Sequence, residues 1–380
     1  MKKLLFLLSI ISLFYISTSK SYAIYDPLSS NNNKFGIHIL FPDELSEAAS
    51  LVNSNGGDWG YVTIPIKASD KDLDKWQSFF NNCKKYHLIP ILRLATDGDY
   101  FEKASWSKPS DYDILDFANF LNNLSWPTRN RYIIVYNEQN RGDEWGGIPN
   151  ASEYAEILDY AVTAFKEKNE DFFIILGGLD NASINVADQY INQYTYMYQM
   201  EDAVPGIFSK IDGISSHAYP NPAFSSPPSY SRIGIYSFFY QKEIADTFSN
   251  KNLPVFITET GWSSDKISYN NQSEYYEVAF NGYWNDPNII AVTPFIFQAG
   301  SGPFEQFSFK KNGQKTKIYD TYISFSKTKG EPVLAKENIY EDKLNYALPT
   351  KRFDTNETLD SVFKKINSSA RNFFKWFLKV

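Results

Sequence analysis

Eight short apolar segments recur along this chain, most of them separated by stretches whose apolar residues return at three- and four-residue spacing. A sequence with that alternation buries its strands between helices, so it predicts a βα succession around a mostly parallel sheet. The strand candidates are 35–40, 60–66, 88–94, 132–137, 172–178, 212–217, 255–259 and 290–298. Helix candidates include 73–86, 113–124, 153–168 and 274–284, with Ser69, Ser110, Ser152 and Ser273 placed to cap first turns. Eight strands is the count that a closed barrel needs, and 380 residues are enough for one such core. An open, doubly wound sheet is the alternative, because its strands are buried with the same apolar pattern. A nucleotide-binding sheet of that kind places glycines directly after its first strand, whereas FGIHILFPDE has only Gly36 and then turns acidic. The pairs Gly56-Gly57, Gly146-Gly147 and Gly177-Gly178 fit turns or close approaches instead. The predicted class is therefore α/β, a (β/α)8 TIM barrel over residues 24–330.

The flanks read differently. Residues 1–23 have the pattern of a signal peptide: Lys2 and Lys3, an apolar run from Leu4 to Ile16, then Ser21 and Ala23 at a cleavage-type position. An uncleaved anchor is the alternative, and either predicts a secreted or extracytoplasmic protein, with cell-envelope association open. Residues 331–380 form a C-terminal extension. From Ser361 onward it carries five basic residues and no acid among Phe363, Ile366, Phe373, Phe374, Trp376, Phe377, Leu378 and Val380. That spacing permits an imperfect amphipathic helix, either docked on the barrel or in peripheral contact with a membrane or envelope polymer. The net charge of -7 argues against nucleic acid as a partner. Cys83 is the only cysteine, so no internal disulfide can form, and its place in a helix candidate reads as packing. The oligomeric state is left open.

Two strand candidates end on glutamates. RYIIVYNEQN carries Asn137 and Glu138 at the end of strand four, and PVFITETGW carries Glu259 at the end of strand seven. In a closed barrel the carboxyl ends of all strands face one cavity, so these distant positions can act on one substrate. Glycosidic cleavage gives a reason for such a pair, since one carboxyl protonates the departing oxygen while the other attacks the anomeric carbon. Glu138 is expected as acid/base and Glu259 as nucleophile, in surroundings that separate their titrations. The bland alternative is two glutamates engaged in surface pairs or caps. Arg93 in PILRLAT is a candidate for holding Glu259 ionised, because a guanidinium offers several directed donors to one carboxylate.

In VYNEQN and ITETGW, taken with their order and separation, the chain resembles clan A of the glycoside hydrolases, and the resemblance runs from about Phe35 to Phe325. It implies a (β/α)8 barrel, a retaining hydrolase acting on a β-linked oligo- or polysaccharide, and contact of Asn137 with the sugar 2-hydroxyl. It also matches His217 and Tyr219 in DGISSHAYP to a His and Tyr around strand six, with His217 positioning an acid or binding sugar and Tyr219 donating to the nucleophile. Plugging the barrel mouth is the structural alternative for both rings. One departure stands out: clan members commonly offer an aromatic platform, often Trp, at the end of strand eight, and here the string is TPFIFQAG. Phe295, Phe297 or a loop Trp is expected to substitute.

The 17% aromatic content serves a core and can also line a sugar groove, where flat rings cover apolar sugar faces. Trp145 and Trp262 have the best-placed loops for that, ahead of Trp106 and the 221–230 segment. His38, on the first strand, is expected to line the sugar site, and His87, at a helix exit, to be structural. His38, His87 and His217 lack compact metal spacing, so neither a metal nor another cofactor is expected. No G-x-S-x-G elbow supports a serine hydrolase. The rival from another class is a noncatalytic carbohydrate-binding barrel, and the separation of the two carboxyls discriminates between them.

Overall fold

The computed structural model describes residues 24–97, 106–300 and 302–336. Residues 1–23, which carry the signal-peptide pattern, and the aromatic, basic segment beyond residue 336 lie outside them. Eight parallel strands follow one another in sequence order: β1 Gly36–His38, β2 Gly60–Lys67, β3 Leu88–Ala95, β4 Arg131–Val135, β5 Phe172–Leu176, β6 Gly213–His217, β7 Val255–Glu259 and β8 Ile289–Val292. The sheet then meets its own first strand. Phe35 bridges Val292 in parallel, Val292 donates to the Lys34 carbonyl at 2.8 Å, and His38 donates to the Pro294 carbonyl at 3.0 Å. That closure rejects the open doubly wound alternative, and it follows from topology that no apolar pattern encodes.

Each strand leads to a helix: α1 Leu45–Val52, α2 Leu73–Tyr86, α3 Asp111–Asn122, α4 Ala151–Lys168, α5 Gln193–Ala203, α6 Ser237–Phe248, α7 Tyr269–Val278 and α8 Lys317–Ser324. Of the four expected caps only Ser110 serves, in a capping box with Asp113. Asp72, Asn150 and Ser268 cap α2, α4 and α7 in place of Ser69, Ser152 and Ser273. The misplacement at α4 and α7 has one cause, that these helices begin before their apolar periodicity does, so Ser152 lies in the first turn of α4 and Ser273 in the second turn of α7. Ser273 bonds back to the Tyr269 carbonyl at 2.8 Å.

The strands are buried on both sides, as parallel strands covered by helices must be. Along β4, Tyr132 and Ile134 enter the barrel interior while Ile133 and Val135 meet the helices; along β5, Phe173 and Ile175 alternate with Ile174 and Leu176 in the same way. The interior is thus plugged by aromatic and branched side chains, so its functional surface is confined to the strand ends. Beyond α8 the chain returns along the opposite end, where Glu331 donates to the Asn31 carbonyl at 2.9 Å and Val333 accepts from the Arg129 amide at 2.7 Å. Ala335 N also reaches the Pro127 carbonyl at 3.3 Å, which keeps this strap on the barrel past residue 330.

Candidate active site

Simple alternation fails at the ends of β4 and β7, and both failures aim a glutamate. After Val135, Tyr136 takes a left-handed φ of 66° and its ring packs outside the barrel against Trp145. Glu138 is left-handed too, at φ 40°, with its amide on the Gly178 carbonyl at 2.8 Å. Non-glycine residues rarely adopt this region, which makes the two together a costly turn that surrounding structure must hold in place. On β7, Val255 and Ile257 face the helices, so period two would send Glu259 the same way. The register shifts there, with Ser216 opposite Ile257 but His217 opposite Glu259, leaving Thr258 as an extra residue. Such a bulge re-aims the side chain beyond it.

The result is one polar cluster over the barrel mouth. Glu259 is 7% exposed, and Arg93 Nη1 lies 2.5 Å from its Oε1 and 2.5 Å from Asn137 Oδ1. Tyr219 donates its hydroxyl to Glu259 Oε2 at 3.0 Å. Burial, reinforced by the charges of Glu259 and Glu138, pushes the Tyr219 phenol well above its ordinary range, so it remains a donor. His217 Nδ1 lies 2.9 Å from Glu138 Oε1 and 3.7 Å from Glu259 Oε2. Burial opposes protonation of this imidazole, but the two carboxylates outweigh it and raise its pKa above the usual value. His38, fully buried nearby, is driven the other way: burial first, then Arg93 and His217, hold it neutral.

The cluster contains groups beyond those expected from sequence. Arg141 approaches Glu138 Oε2 at 3.5 Å while its Nε and Nη2 clasp Asp143 at 3.0 and 2.6 Å, and it also reaches Asp180 at 3.6 Å. Glu144 lies on the same loop, where burial first and then the charge of Glu138 push its carboxyl up to about 7. The density of charge in NEQNRGDE was the available signal for Arg141 and Glu144; Asp180, on the loop after β5, had none. Glu138, His217 and Glu259 offer ligand atoms within 4.8 Å of one another, a spacing that suits a divalent cation. Arg93 and Arg141 already bring positive charge to both carboxylates, so the arrangement is suited to moving protons between held oxygens.

Of the two phenylalanines expected at strand eight, Phe295 is the one at the mouth, 5.0 Å from the His38 ring and in the cluster that includes Tyr219, against which Phe224 of the 221–230 segment also packs. Phe297 instead turns outward onto Tyr319 of α8 and is 2% exposed. Trp145 and Trp262 are each 1% exposed and are core residues, Trp145 between Tyr136 and Tyr154 and Trp262 against Tyr276 and Trp284. Neither presents a free ring face to a groove, because the loops carrying them fold back onto the helix layer.

The fold likeness matches the geometry. No protein-family model and no curated protein sequence matches the chain. Solved structures do. A family 39 glycoside hydrolase from Bacteroides cellulosilyticus WH2 superposes at a TM-score of 0.54 with 15% identity, covering 79% of this chain and 64% of that one. This chain therefore spans less than two thirds of that structure's length. A GH5_18 protein from Bifidobacterium longum in complex with Manβ1-4GlcNAc gives 0.53 at 11% identity, with 76% and 77% covered. A GH128 subgroup II endo-β-1,3-glucanase from Sorangium cellulosum gives 0.51 at 14%, with 77% and 98% covered. The fold resembles that of the clan-A glycoside hydrolases. At such identities the likeness extends to the backbone, and the side-chain chemistry rests on the distances above.

The Gly177-Gly178 pair turns out to be a close approach. A Cβ on Gly178 would sit 2.2 Å from His217 Cδ2 and 2.4 Å from its Nε2, and the buried ring has no room to retreat. Gly178→Ala is expected to destabilise the protein by about 1–3 kcal/mol through overpacking, read by chemical denaturation, and to displace His217 from Glu138. An alanine variant as stable as the parent would mean that the imidazole is not confined.

Proposed function

We propose that this protein is a retaining glycoside hydrolase that cleaves a β-linked oligo- or polysaccharide by double displacement. The observation that carries this reading is the approach of one Glu138 carboxylate oxygen to within 4.8 Å of one from Glu259. Retaining enzymes hold their carboxyls roughly 5–5.5 Å apart, whereas inverting ones need roughly 6.5–9.5 Å to admit a water. In the first step Glu138 gives its proton to the glycosidic oxygen as that bond to the anomeric carbon breaks, and Glu259 forms a new bond to the same carbon. In the second, Glu138 takes a proton from water, whose oxygen displaces Glu259 and restores the starting anomeric configuration. Arg93 and Tyr219 support the nucleophile role by donating to different oxygens of Glu259, which orients the carboxylate. His217 supports the acid/base role by holding Glu138 Oε1. Asn137, beside both, is assigned to the sugar 2-hydroxyl, and His38 and Phe295 to the wall of the innermost sugar site. The leader pattern of residues 1–23 supports an exported enzyme.

The test is hydrolysis across β-linked glucans, mannans and xylans, with the first-formed anomer read by proton NMR before mutarotation. The β anomer is expected first. The α anomer first would replace double displacement by inversion, and glycan binding with no hydrolysis by the folded protein would make the barrel a carbohydrate-binding module.

A further inference from the structure

Arg141 approaches Glu138 without taking part in either chemical step. It lies three residues further along the loop after β4, where its amide donates to the Glu138 carbonyl at 2.9 Å. The other side of this backbone is paired as well. Arg141 bridges Tyr190 in antiparallel fashion, the Gly142 amide donates to the Gln189 carbonyl at 2.7 Å, and the Ile191 amide donates to the Asn140 carbonyl at 2.9 Å. The guanidinium is held just as firmly. Its Nε and Nη2 donate to the two oxygens of Asp143 at 3.0 and 2.6 Å, a fork-to-fork pairing that fixes the plane of the group and leaves Nη1 for other partners.

Nη1 stands between two further carboxylates, 3.5 Å from Glu138 Oε2 and 3.6 Å from Asp180 Oδ2. Both separations exceed the reach of an N–H···O hydrogen bond, about 3.2 Å, so this nitrogen is shared by the pair and committed to neither. The Glu138, Asp180 and Arg141 side chains are 13%, 18% and 26% exposed, so water screens the attraction only weakly. Asp180 is fixed without Arg141, because its Oδ1 accepts from the Ala182 amide at 2.8 Å and its Oδ2 from the Ser183 hydroxyl at 2.7 Å. Glu138 has its other oxygen on His217 Nδ1 at 2.9 Å. The movable member of the set is therefore Nη1.

We propose that Arg141 is a positioning residue for the acid/base, clasped by Asp143 so that its Nη1 passes from shared contact with Asp180 to Glu138 as that carboxyl loses its proton. A neutral carboxyl attracts a guanidinium weakly, and an ionised one strongly. A shift of about half an ångström brings Nη1 into hydrogen-bonding range of Oε2, at the moment when negative charge appears there. An interaction that strengthens as charge develops lowers the barrier to the step that creates the charge. The kinetic consequence rests on the glycosidase reading; the sharing of Nη1 does not.

The sharing is tested by crystal structures of the full-length parent, Glu138→Gln and Asp180→Asn at one pH. Glu138→Gln puts a neutral group of the same shape beside Arg141, and Nη1 is expected to close on Asp180 Oδ2. Asp180→Asn neutralises the competitor, and Nη1 is expected to close on Glu138 Oε2. A nitrogen that keeps its place in both variants, or moves in the opposite sense, overturns the proposal. The kinetic consequence is tested with aryl β-glycosides of the sugar that the enzyme hydrolyses. For a phenyl glycoside, whose departing oxygen needs the Glu138 proton, Arg141→Met should lower kcat/KM by roughly 10- to 100-fold, as for loss of a charged hydrogen bond. For the dinitrophenyl glycoside the loss should stay below about 3-fold, since that leaving group departs without a proton donor. Equal losses on the two substrates are what a merely structural role would give, and they overturn it. Asp143→Ala leaves Arg141 in place and removes its clasp; the same dependence on leaving group is expected there, at a smaller size, which keeps the test decisive if Arg141→Met fails to fold. If no glycoside is turned over, the three crystal structures still decide how Nη1 responds to charge, so failure of the glycosidase reading is separable from failure of this one.

Discussion

Replacing Glu259 by glycine is expected to lower kcat on the order of 10⁴-fold or more, the scale seen when a covalent nucleophile is removed. The loss should be chemical, with little change in folding, because Arg93 keeps its bond to Asn137 and Tyr219 remains packed against Phe224 and Phe307. External azide fits the space vacated by the carboxylate and can attack the anomeric carbon from the same side. On a β-linked substrate with a good leaving group it should give the α-glycosyl azide, of inverted configuration. At Glu138→Gln the outcome differs. The Glu259 ester still forms from an activated substrate, and azide then displaces it with a second inversion, giving the β-glycosyl azide. The products are identified by NMR. The same azide anomer from both variants, or undiminished hydrolysis by either, would remove the assignment of the two roles.

Arg93→Met is expected to cost about 3–5 kcal/mol of stability at neutral pH, the range for stranding one member of a buried ion pair. The Arg93 and Glu259 side chains are only 15% and 10% exposed, so water can do little to replace the lost guanidinium. The lower end of the range is anticipated, because Tyr219 still donates to Glu259 and His217 remains 3.7 Å away. The loss is read by urea denaturation at pH 7. A gap between variant and parent below about 1 kcal/mol, typical of surface pairs, would mean that Arg93 is not what holds this carboxylate.

The sequence by itself determined the eight barrel strands and roughly where each lies, because Ile-, Val- and Phe-rich segments such as RYIIV and FFIIL suit strands buried on both faces of a helix-covered parallel sheet, although strand eight ends at Val292 and not at 298. In it, Glu138, Glu259 and Arg93 stood out as charged residues at the ends of apolar strands, Asn137, His217 and Tyr219 through the clan resemblance, and His38 as a polar residue on the first strand. What it could not determine was direction. Read at period two, Ile257 and Glu259 belong to one face, and only the bulge at Thr258 turns the glutamate to the cavity. The left-handed turns at Tyr136 and Glu138 depend on contacts from elsewhere in the chain: the Tyr136 ring on Trp145, and the Gly178 carbonyl on the Glu138 amide. The same limit misled the aromatic assignments. Trp145, Trp262 and Phe297 have the size and placement of groove residues, but a ring's value to a sugar depends on which face stays open, and packing against helices and loops covers all three. Closure, side-chain direction and the covering of aromatic rings are properties of chain segments brought together across the barrel, and tertiary structure alone decided them.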